Sequence, residues 1–152
     1  TFNSNSNYII TLSKEDYNCF GCSPNNKYGL QMKFMREGEK IVSEWEPKPQ
    51  FAGYKNIVHG GIISTLIDEI SAWTVSVLLG STAVTSKLEV KYLKPIFTDK
   101  GKITLHAEIV KKSHKLVNIC VKIYNNENNL CTEGSVFYYI IDINKSKNLL
   151  FD

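Results

Sequence analysis

The sequence predicts an α+β fold in which a curved antiparallel sheet wraps around one long central helix. Three observations predict it: a single long helical pattern over residues 59–79, alternating apolar and polar residues in each segment after it, and turn residues between those segments. A chain of 152 residues suits one domain with one hydrophobic core.

Two strands are predicted ahead of the helix. In the first, apolar and polar residues alternate over residues 28–35. The second begins at Ile41, and Gly38 lies at the turn between them. One face of the first strand is apolar and consists of Leu30, Met32 and Phe34. Two prolines end the second strand, and residues 50–58 are predicted to form a loop.

The predicted helix ends at Gly80, a residue type common at helix C-termini. At about 100° per residue, its large apolar side chains share one face, made of Ile63, Leu66, Ile70, Trp73 and Val77. The opposite stripe holds small residues and one aspartate: Gly61, Ser64, Thr65, Asp68 and Ala72. We expect the apolar face to pack on the sheet and the stripe to admit another backbone or a narrow ligand.

Four alternating runs follow the helix, over residues 82–94, 102–112, 115–124 and 130–141. Each has an apolar face that must be covered, and the helix is the only sizeable element available to cover it. The resulting order β-β-α-β-β-β-β is that of the hotdog architecture. The predicted domain spans residues 17–142, between a polar N-terminal segment, 1–16, and a polar C-terminal tail, 143–152.

Composition and charge exclude several function classes. A net charge of +3 is too small for a protein that coats nucleic acid. The first residues lack the basic start and apolar run of a signal peptide, and the apolar stretch 62–79 is interrupted by Asp68 and Glu69, which a membrane span rarely tolerates. We therefore expect a cytoplasmic protein with neither a nucleic-acid nor a membrane partner.

The cysteines leave two readings open. Cys19 and Cys22 have the spacing of half a zinc site, but Cys120 and Cys131 lie on separate predicted strands. A tetrahedral site would need a second close pair or suitably placed histidines, and the sequence offers none. Free thiols in a reducing compartment, with no metal, are the default expectation, and structural zinc is the alternative.

The helix carries two acidic residues with different expected surroundings. Asp68 sits in the small-residue stripe, where an unpaired carboxylate would be costly to bury. It is either satisfied by local hydrogen bonds and water, or it acts as a general base or nucleophile. Glu69 lies about 100° further round the helix and is expected to be solvated.

The predicted helix begins with His59, Gly60 and Gly61. Free N–H groups at the positive end of the helix dipole could hold an oxyanion there. The alternative is that the glycines only form a tight junction between loop and helix. Gly60 and Asp68 are about 12 Å apart along one helix. One ester or thioester carbon therefore cannot contact both within one chain. If both serve one reaction, two chains must meet with antiparallel helices, which predicts an obligate dimer with two shared sites.

Three segments carry a resemblance to a known family. Residues 51–69, FAGYKNIVHGGIISTLIDE, and 84–95, VTSKLEVKYLKP, resemble hotdog-fold acyl-CoA thioesterases of the phenylacetate-pathway type, within the 4-hydroxybenzoyl-CoA thioesterase superfamily. Residues 19–30, CFGCSPNNKYGL, resemble the leader of many bacterial members. The resemblance covers about residues 17–141, and its motifs are specific to the superfamily but not to one substrate.

The resemblance implies hydrolysis of an acyl-CoA thioester to a free acid and CoA, with no metal or redox cofactor. Asp68 matches the acidic residue that activates water or attacks the thioester carbonyl. Thr85 matches a hydroxyl residue that positions the carboxylate or the water. The Gly60 amide matches the oxyanion donor, supplied by the partner subunit, and His59 sits beside the substrate carbonyl. The implied assembly is a homodimer or a dimer of dimers.

The resemblance also implies where the substrate binds. The matching positions are Gly61, Lys91 and the turn Ser113, His114 and Lys115, and the last four of these meet the CoA nucleotide and its phosphates. Some relatives place a water-orienting asparagine six residues before the histidine, where this chain has Gly53; Asn56 is only three before. Thr85 would then carry more of that role.

The lysines support this placement. Residues 87–115 contain eight lysines against three acids, a net charge of +5, whereas the rest of the chain has ten cations and twelve acids, a net of −2. Lysines on a turn supply point charges to phosphate, although each is alternatively a solvated surface charge.

Two other functions are compatible with the fold. In a non-catalytic acyl-CoA-binding module Asp68 would be structural. Hotdog hydratases place a histidine in a proline-rich loop before the helix, but no histidine lies between Pro47 and Pro49. The acyl group is left open, since the aromatic residues that could line its pocket are equally suited to the core: Trp45, Phe51, Tyr54 and Trp73.

Overall fold

A seven-stranded antiparallel sheet wraps around one helix in the computed structural model, which describes residues 8–10 and 17–141. The elements are β1 (Tyr8–Ile10), β2 (Phe34–Glu37), β3 (Lys40–Trp45), α1 (Gly60–Leu79), β4 (Thr82–Tyr92), β5 (Ile103–Ser113), β6 (Leu116–Tyr124) and β7 (Leu130–Ile141). A short 3-10 helix, Pro49–Phe51, lies in the loop before α1. The sheet order is β1-β2-β3-β5-β6-β7-β4. The predicted hotdog architecture is confirmed.

The central helix begins and ends where the sequence predicts. His59 is its N-cap, and Gly80 ends it in the left-handed conformation at φ 62°, which glycine adopts without steric cost. The four strands after the helix lie within two residues of their predicted bounds.

The segment ahead of β2 differs from its prediction. The strand predicted over residues 28–35 is confined to Phe34–Glu37, because Gln31 has a φ of 53° and breaks the extended run. The backbone N–H groups of Leu30 and Met32 bond to the carbonyls of Phe20 and Gly21 at 2.7 and 2.9 Å instead of to a strand. Both side chains are nevertheless buried, as their alternation predicts.

One strand lies where none is predicted. β1 pairs antiparallel with β2, and it falls within the segment 1–16 that the sequence assigns to a polar terminus. Three residues are too few to show an alternating pattern. The rest of that segment, and the predicted C-terminal tail 143–152, lie outside the described residues.

The buried face of α1 is rotated from the predicted one. Its buried residues are Ile63, Leu66, Ile67, Ile70, Ser71, Thr74 and Val75. Trp73 and Val77, predicted to face the sheet, are only half-buried at the edge of the core. Helix and sheet approach closely at β7, where a Cβ on Gly134 would lie 2.7 Å from the Ile67 side chain. By length and mean hydropathy α1 could cross a membrane, but here it is the core helix of the domain.

β4 is the edge strand on one side of the sheet. It pairs with β7, and no strand among the described residues pairs with its other edge. Large apolar side chains are exposed on or just after it, namely Val84, Tyr92 and Leu93. An open, partly apolar edge is suited to pairing with another chain.

Candidate active site

Two neighbouring strands hold the carboxylate of Asp68. Its Oδ1 atom accepts hydrogen bonds from Thr85 Oγ1 on β4 at 2.8 Å and from the Tyr138 hydroxyl on β7 at 2.7 Å. Thr85 and Tyr138 are directly paired across the two strands. The Tyr138 hydroxyl is also 2.6 Å from the Asp68 carbonyl oxygen. One oxygen of the carboxylate is therefore fixed in orientation by the sheet.

The other carboxylate oxygen of Asp68, Oδ2, has no hydrogen-bond partner in the described part of the chain. Tyr138 is 1% exposed. Burial, followed by the negative charge of Asp68, raises the pKa of Tyr138, so its hydroxyl stays a donor. An oriented carboxylate with one free oxygen can take a proton from water or attack an electrophilic carbon.

The N-terminus of α1 presents a free donor. His59 Nδ1 accepts the N–H of Gly61 at 2.8 Å, so the neutral imidazole carries its proton on Nε2. Within residues 17–141 the N–H of Gly60 donates to no protein acceptor, and it lies at the positive end of the helix dipole. This end of the helix is suited to an anion. Because the Gly61 N–H already donates to His59, the predicted contact between Gly61 and the substrate would have to use another atom of Gly61.

The two glycines have different steric surroundings. A Cβ on Gly61 would lie 3.0 Å from His59 Nδ1 and would crowd the cap. A Cβ on Gly60 would lie 3.5 Å from the ring of Tyr92, an ordinary contact. The Tyr92 hydroxyl lies 2.8 Å from the Gly60 carbonyl oxygen and 2.8 Å from Ser64 Oγ, so it braces the first turn against the end of β4.

A groove of about 720 Å³ opens beside this end of the helix. Its lining includes Tyr54, Ile57, His59, Gly60, Tyr92 and Pro95, and Asp68 does not line it. Tyr54 is the only one of the four aromatic residues proposed for an acyl pocket that lines it.

The other three aromatic residues lie in the core or at its edge. Trp45 and Phe51 are 4% and 6% exposed, with ring centroids 5.6 Å apart. Trp73 is half-buried and stacks on Phe34 at 5.4 Å.

The predicted site residues fall into two groups within one chain. Gly60 and Asp68 are separated by two turns of regular helix, about 12 Å. Lys91 pairs with Glu133 of β7, whereas the carbonyl of Lys115 accepts the N–H of Ile140. Seven residues of β7, about 23 Å, separate Glu133 from Ile140. One group is His59, Gly60, Gly61 and Lys91; the other is Asp68, Thr85, Ser113, His114 and Lys115.

The lysine-rich segment is not uniformly available to a ligand. Lys87 forms an ion pair with Glu89 at 2.9 Å, with both side chains exposed. Lys91 and Lys115 are exposed, and no ion pair is recorded for either in the described residues. His114 forms the tip of the β5–β6 hairpin with a φ of 52°.

The expectation that Glu69 is solvated is wrong. The loop over residues 17–32 covers it, and its Oε1 atom accepts from Trp73 Nε1 at 3.2 Å and from Cys19 Sγ at 3.4 Å. Burial raises the pKa of Glu69 to about 7. Helical periodicity places Glu69 on a different face from Asp68, but it carries no information about a loop that folds back from 50 residues earlier.

Sequence reasoning missed two residues of the site, Tyr138 and Tyr92. Tyr138 lies 70 residues from the aspartate it contacts, on a strand whose alternation marks it only as core. Tyr92 falls within the quoted segment 84–95, but nothing local indicates that its hydroxyl reaches the helix start.

About half of the chain is similar to known proteins. Residues 55–132 match the thioesterase superfamily. A Saccharolobus solfataricus protein named as an esterase is 27% identical over 79 residues, which is 51% of either chain. An uncharacterized Schizosaccharomyces pombe protein is 39% identical over 61 residues, 40% of this chain and 35% of that one. The chain thus matches about half, or less, of the length of these curated relatives.

Solved structures share the fold. A Haemophilus influenzae thioesterase superposes with a TM-score of 0.72 at 22% identity, covering 88% of this chain and 94% of that one. A thioesterase protein of Streptococcus pneumoniae, solved with coenzyme A, has a TM-score of 0.64 at 25% identity, covering 68% and 79%. A Streptococcus mutans protein bound to acetyl CoA has a TM-score of 0.63 at 23% identity, covering 68% and 82%. With the superfamily match extending over half of the sequence and the hotdog fold in place, the chain belongs to the thioesterase superfamily.

Proposed function

We propose that the protein hydrolyses an acyl-CoA thioester to a free acid and CoA, with Asp68 as the reacting carboxylate. The observation that carries the proposal is the asymmetry of that carboxylate. Thr85 and Tyr138 hold Oδ1, while Oδ2 is left without a protein partner. A carboxylate that served only the fold would be expected to have both oxygens satisfied or to lie in open solvent.

The reaction follows from this geometry in either of two ways. As a general base, Oδ2 takes a proton from water while the water oxygen attacks the thioester carbon. As a nucleophile, Oδ2 forms a mixed anhydride that water then hydrolyses. In both cases the carbonyl oxygen gains negative charge, the C–S bond breaks, and the CoA thiolate leaves and takes up a proton. No metal or redox cofactor enters these steps.

The oxyanion donor would come from a second copy of the chain. The free N–H of Gly60 is about 12 Å from Asp68 along α1, too far for one carbonyl group to contact both. The open edge of β4 offers a surface on which two copies can pair antiparallel. Such a pair would bring Gly60 and His59 of one subunit towards the partner subunit's Asp68. A dimer is the smallest assembly that completes the site.

The same pairing would assemble the CoA site. Lys91 lies near one end of β4, and the turn Ser113–Lys115 lies at the other end of the sheet. Antiparallel pairing places Lys91 of one subunit at the end that carries the partner's hairpin. The coenzyme A in the Streptococcus pneumoniae relative supports this ligand class for the present chain.

A thiol-release assay over a panel of acyl-CoAs tests the proposal. Asp68→Asn keeps an oxygen that can accept from Thr85 and Tyr138 but removes the carboxylate. We expect kcat to fall at least about 100-fold while acyl-CoA affinity stays within about threefold, since only the chemical step is affected. Asp68→Ala would abolish turnover as well.

Asp99→Asn, which changes an exposed aspartate on the β4–β5 connection, is the matched control and should behave like the wild type. Unchanged turnover in Asp68→Asn would refute Asp68 as the reacting group. Binding of CoA esters without cleavage of any of them by the wild-type protein would favour a non-catalytic acyl-CoA-binding module.

A further inference from the structure

Three potential metal ligands meet where the loop over residues 17–32 crosses α1. The sulfur atoms of Cys19 and Cys22 and a carboxylate oxygen of Glu69 all lie within 4.8 Å of one another. The two cysteines are separated by only two residues, but Glu69 is 50 residues beyond Cys19. The fold therefore supplies the third ligand that the sequence alone does not reveal.

The cluster is enclosed. Cys22 is 8% exposed, and Cys19 and Glu69 are partly buried. Gly21 packs directly on the carboxylate, since a Cβ there would lie 2.5 Å from Glu69 Cδ. A side chain at that position would displace the Glu69 carboxylate or the loop, so the glycine between the cysteines allows this approach.

Outer groups orient two of the three ligands. Trp73 Nε1 donates to Glu69 Oε1 at 3.2 Å, and the thiol of Cys22 points to the Tyr17 hydroxyl at 3.8 Å. Oriented ligands with hydrogen-bonded outer partners are characteristic of protein metal sites.

Each of the three groups can serve as an anionic ligand of a cation. Glu69 forms no ion pair with any described lysine or arginine. A divalent cation bound here would favour the deprotonated, ligating form of each group.

We propose that Cys19, Cys22 and Glu69 bind one Zn²⁺ ion, with water as the fourth ligand. Thiolate sulfur and carboxylate oxygen are both zinc ligands. At a Zn–S distance of about 2.3 Å, two sulfurs of a tetrahedral site are roughly 3.8 Å apart. Because the three ligand atoms already lie within 4.8 Å of one another, they need to move little to bind the ion. Each thiol releases its proton as its bond to zinc forms. The ion would fasten the loop to α1 next to Asp68, and it is separate from the proposed hydrolysis.

Zinc binding by the 152-residue chain tests this. Protein stripped with a chelator and kept reduced is titrated with Zn²⁺ and analysed for metal content and melting temperature; Co²⁺ replaces zinc in a parallel absorption measurement. We expect one Zn²⁺ per chain, a melting temperature that rises with zinc, and a thiolate-to-cobalt charge-transfer band. Cys19→Ser and Glu69→Gln should each weaken binding at least about tenfold.

Cys120→Ser is the matched control, because Cys120 is a half-buried cysteine outside the cluster, and it should bind zinc like the wild type. Cys19 and Glu69 are chosen for substitution because Cys22 is more deeply buried, and a change there would disturb folding more. Circular dichroism checks that both variants fold. The proposal is overturned by an absence of zinc binding at micromolar metal, by equal binding in Cys19→Ser and the wild type, or by a Cys19–Cys22 disulfide that persists in reductant.

Discussion

At the scale of single residues, the central feature is the pair of hydroxyl groups that hold one oxygen of Asp68. Thr85 is exposed and Tyr138 is 1% exposed, so the two donors differ in their freedom to move. The buried tyrosine also contacts the Asp68 carbonyl oxygen, which ties the carboxylate to the helix backbone. Tyr138 therefore acts as a positioning residue for Asp68.

Tyr138→Phe removes this hydroxyl and keeps the ring. We expect kcat to fall about tenfold, corresponding to about 1.4 kcal/mol, because the carboxylate loses one of its two fixed donors. KM should change little, since Tyr138 is not expected to touch the substrate. Tyr139→Phe changes the neighbouring exposed tyrosine, whose hydroxyl has no hydrogen-bond partner among the described residues, and serves as the control. Equal kcat values for Tyr138→Phe and the wild type would contradict the positioning role.

Residues of the candidate site differ in how far the sequence could predict them. His59, Gly60 and Asp68 lie on one helix, where spacing along the chain translates directly into position. Tyr138 and Glu69 could not be assigned in this way, because their contacts join residues 70 and 50 positions apart. Such contacts depend on strand register and loop path, which local patterns do not specify.

At the scale of elements, the N-terminus of α1 supplies the proposed oxyanion donor. Its N-cap hydrogen bond uses the Gly61 N–H and leaves the Gly60 N–H free. His59 has φ −57° and ψ 134°, an extended conformation that is compatible with a following proline. Proline is also tolerated at the first position of a helix.

Gly60→Pro therefore removes the N–H with little expected change to the helix. We expect kcat to fall about 100-fold, the usual cost of losing one oxyanion-hole donor. Gly60→Ala is the matched control: its Cβ would make an ordinary contact at 3.5 Å with Tyr92, and its N–H remains, so activity should stay within about threefold of the wild type. If proline and alanine reduce kcat equally, the amide is not the donor.

Elements were predictable where they are long and periodic. α1 and the four strands after it show clear 3.6- or 2-residue periods, and the structure confirms them. β1 was missed because it has three residues, and the strand before Gly38 is shorter than predicted because Gln31 takes a positive φ. Trp73 was placed on the sheet face, but it packs at the core's edge on Phe34.

At the scale of the whole molecule, positive charge is concentrated between Lys87 and Lys115. The segment carries a net charge of +5, whereas the rest of the chain carries −2. Lys87 is already paired with Glu89 and is therefore less available to a ligand. Lys115 lies in the β5–β6 turn, exposed to solvent, where a phosphate can approach it.

Lys115→Ala should weaken CoA binding several-fold at low salt, measured by calorimetry. The difference from the wild type should shrink in 1 M salt, where the screening length is about 3 Å instead of about 10 Å at 0.1 M. Lys27→Ala, at an exposed lysine outside the segment, should leave affinity unchanged. If neither salt nor Lys115→Ala alters affinity, the lysines are only a solvated surface.

The assembly determines whether the two groups of site residues meet. One chain keeps Gly60 and Asp68 about 12 Å apart, and it has an open strand edge at β4. The proposed hydrolysis therefore requires a dimer in which each site takes its amide from one subunit and its carboxylate from the other. Sedimentation should show no active monomer.

Subunit complementation tests this claim most directly. Gly60→Pro and Asp68→Asn subunits, each nearly inactive alone, are unfolded together in equal amounts, refolded, and assayed for CoA release. Random pairing makes half of the dimers mixed, and each mixed dimer has one site with both native groups, so about a quarter of wild-type activity should return. Refolding each variant separately controls for the procedure. No recovery in mixtures that contain mixed dimers would contradict the shared site.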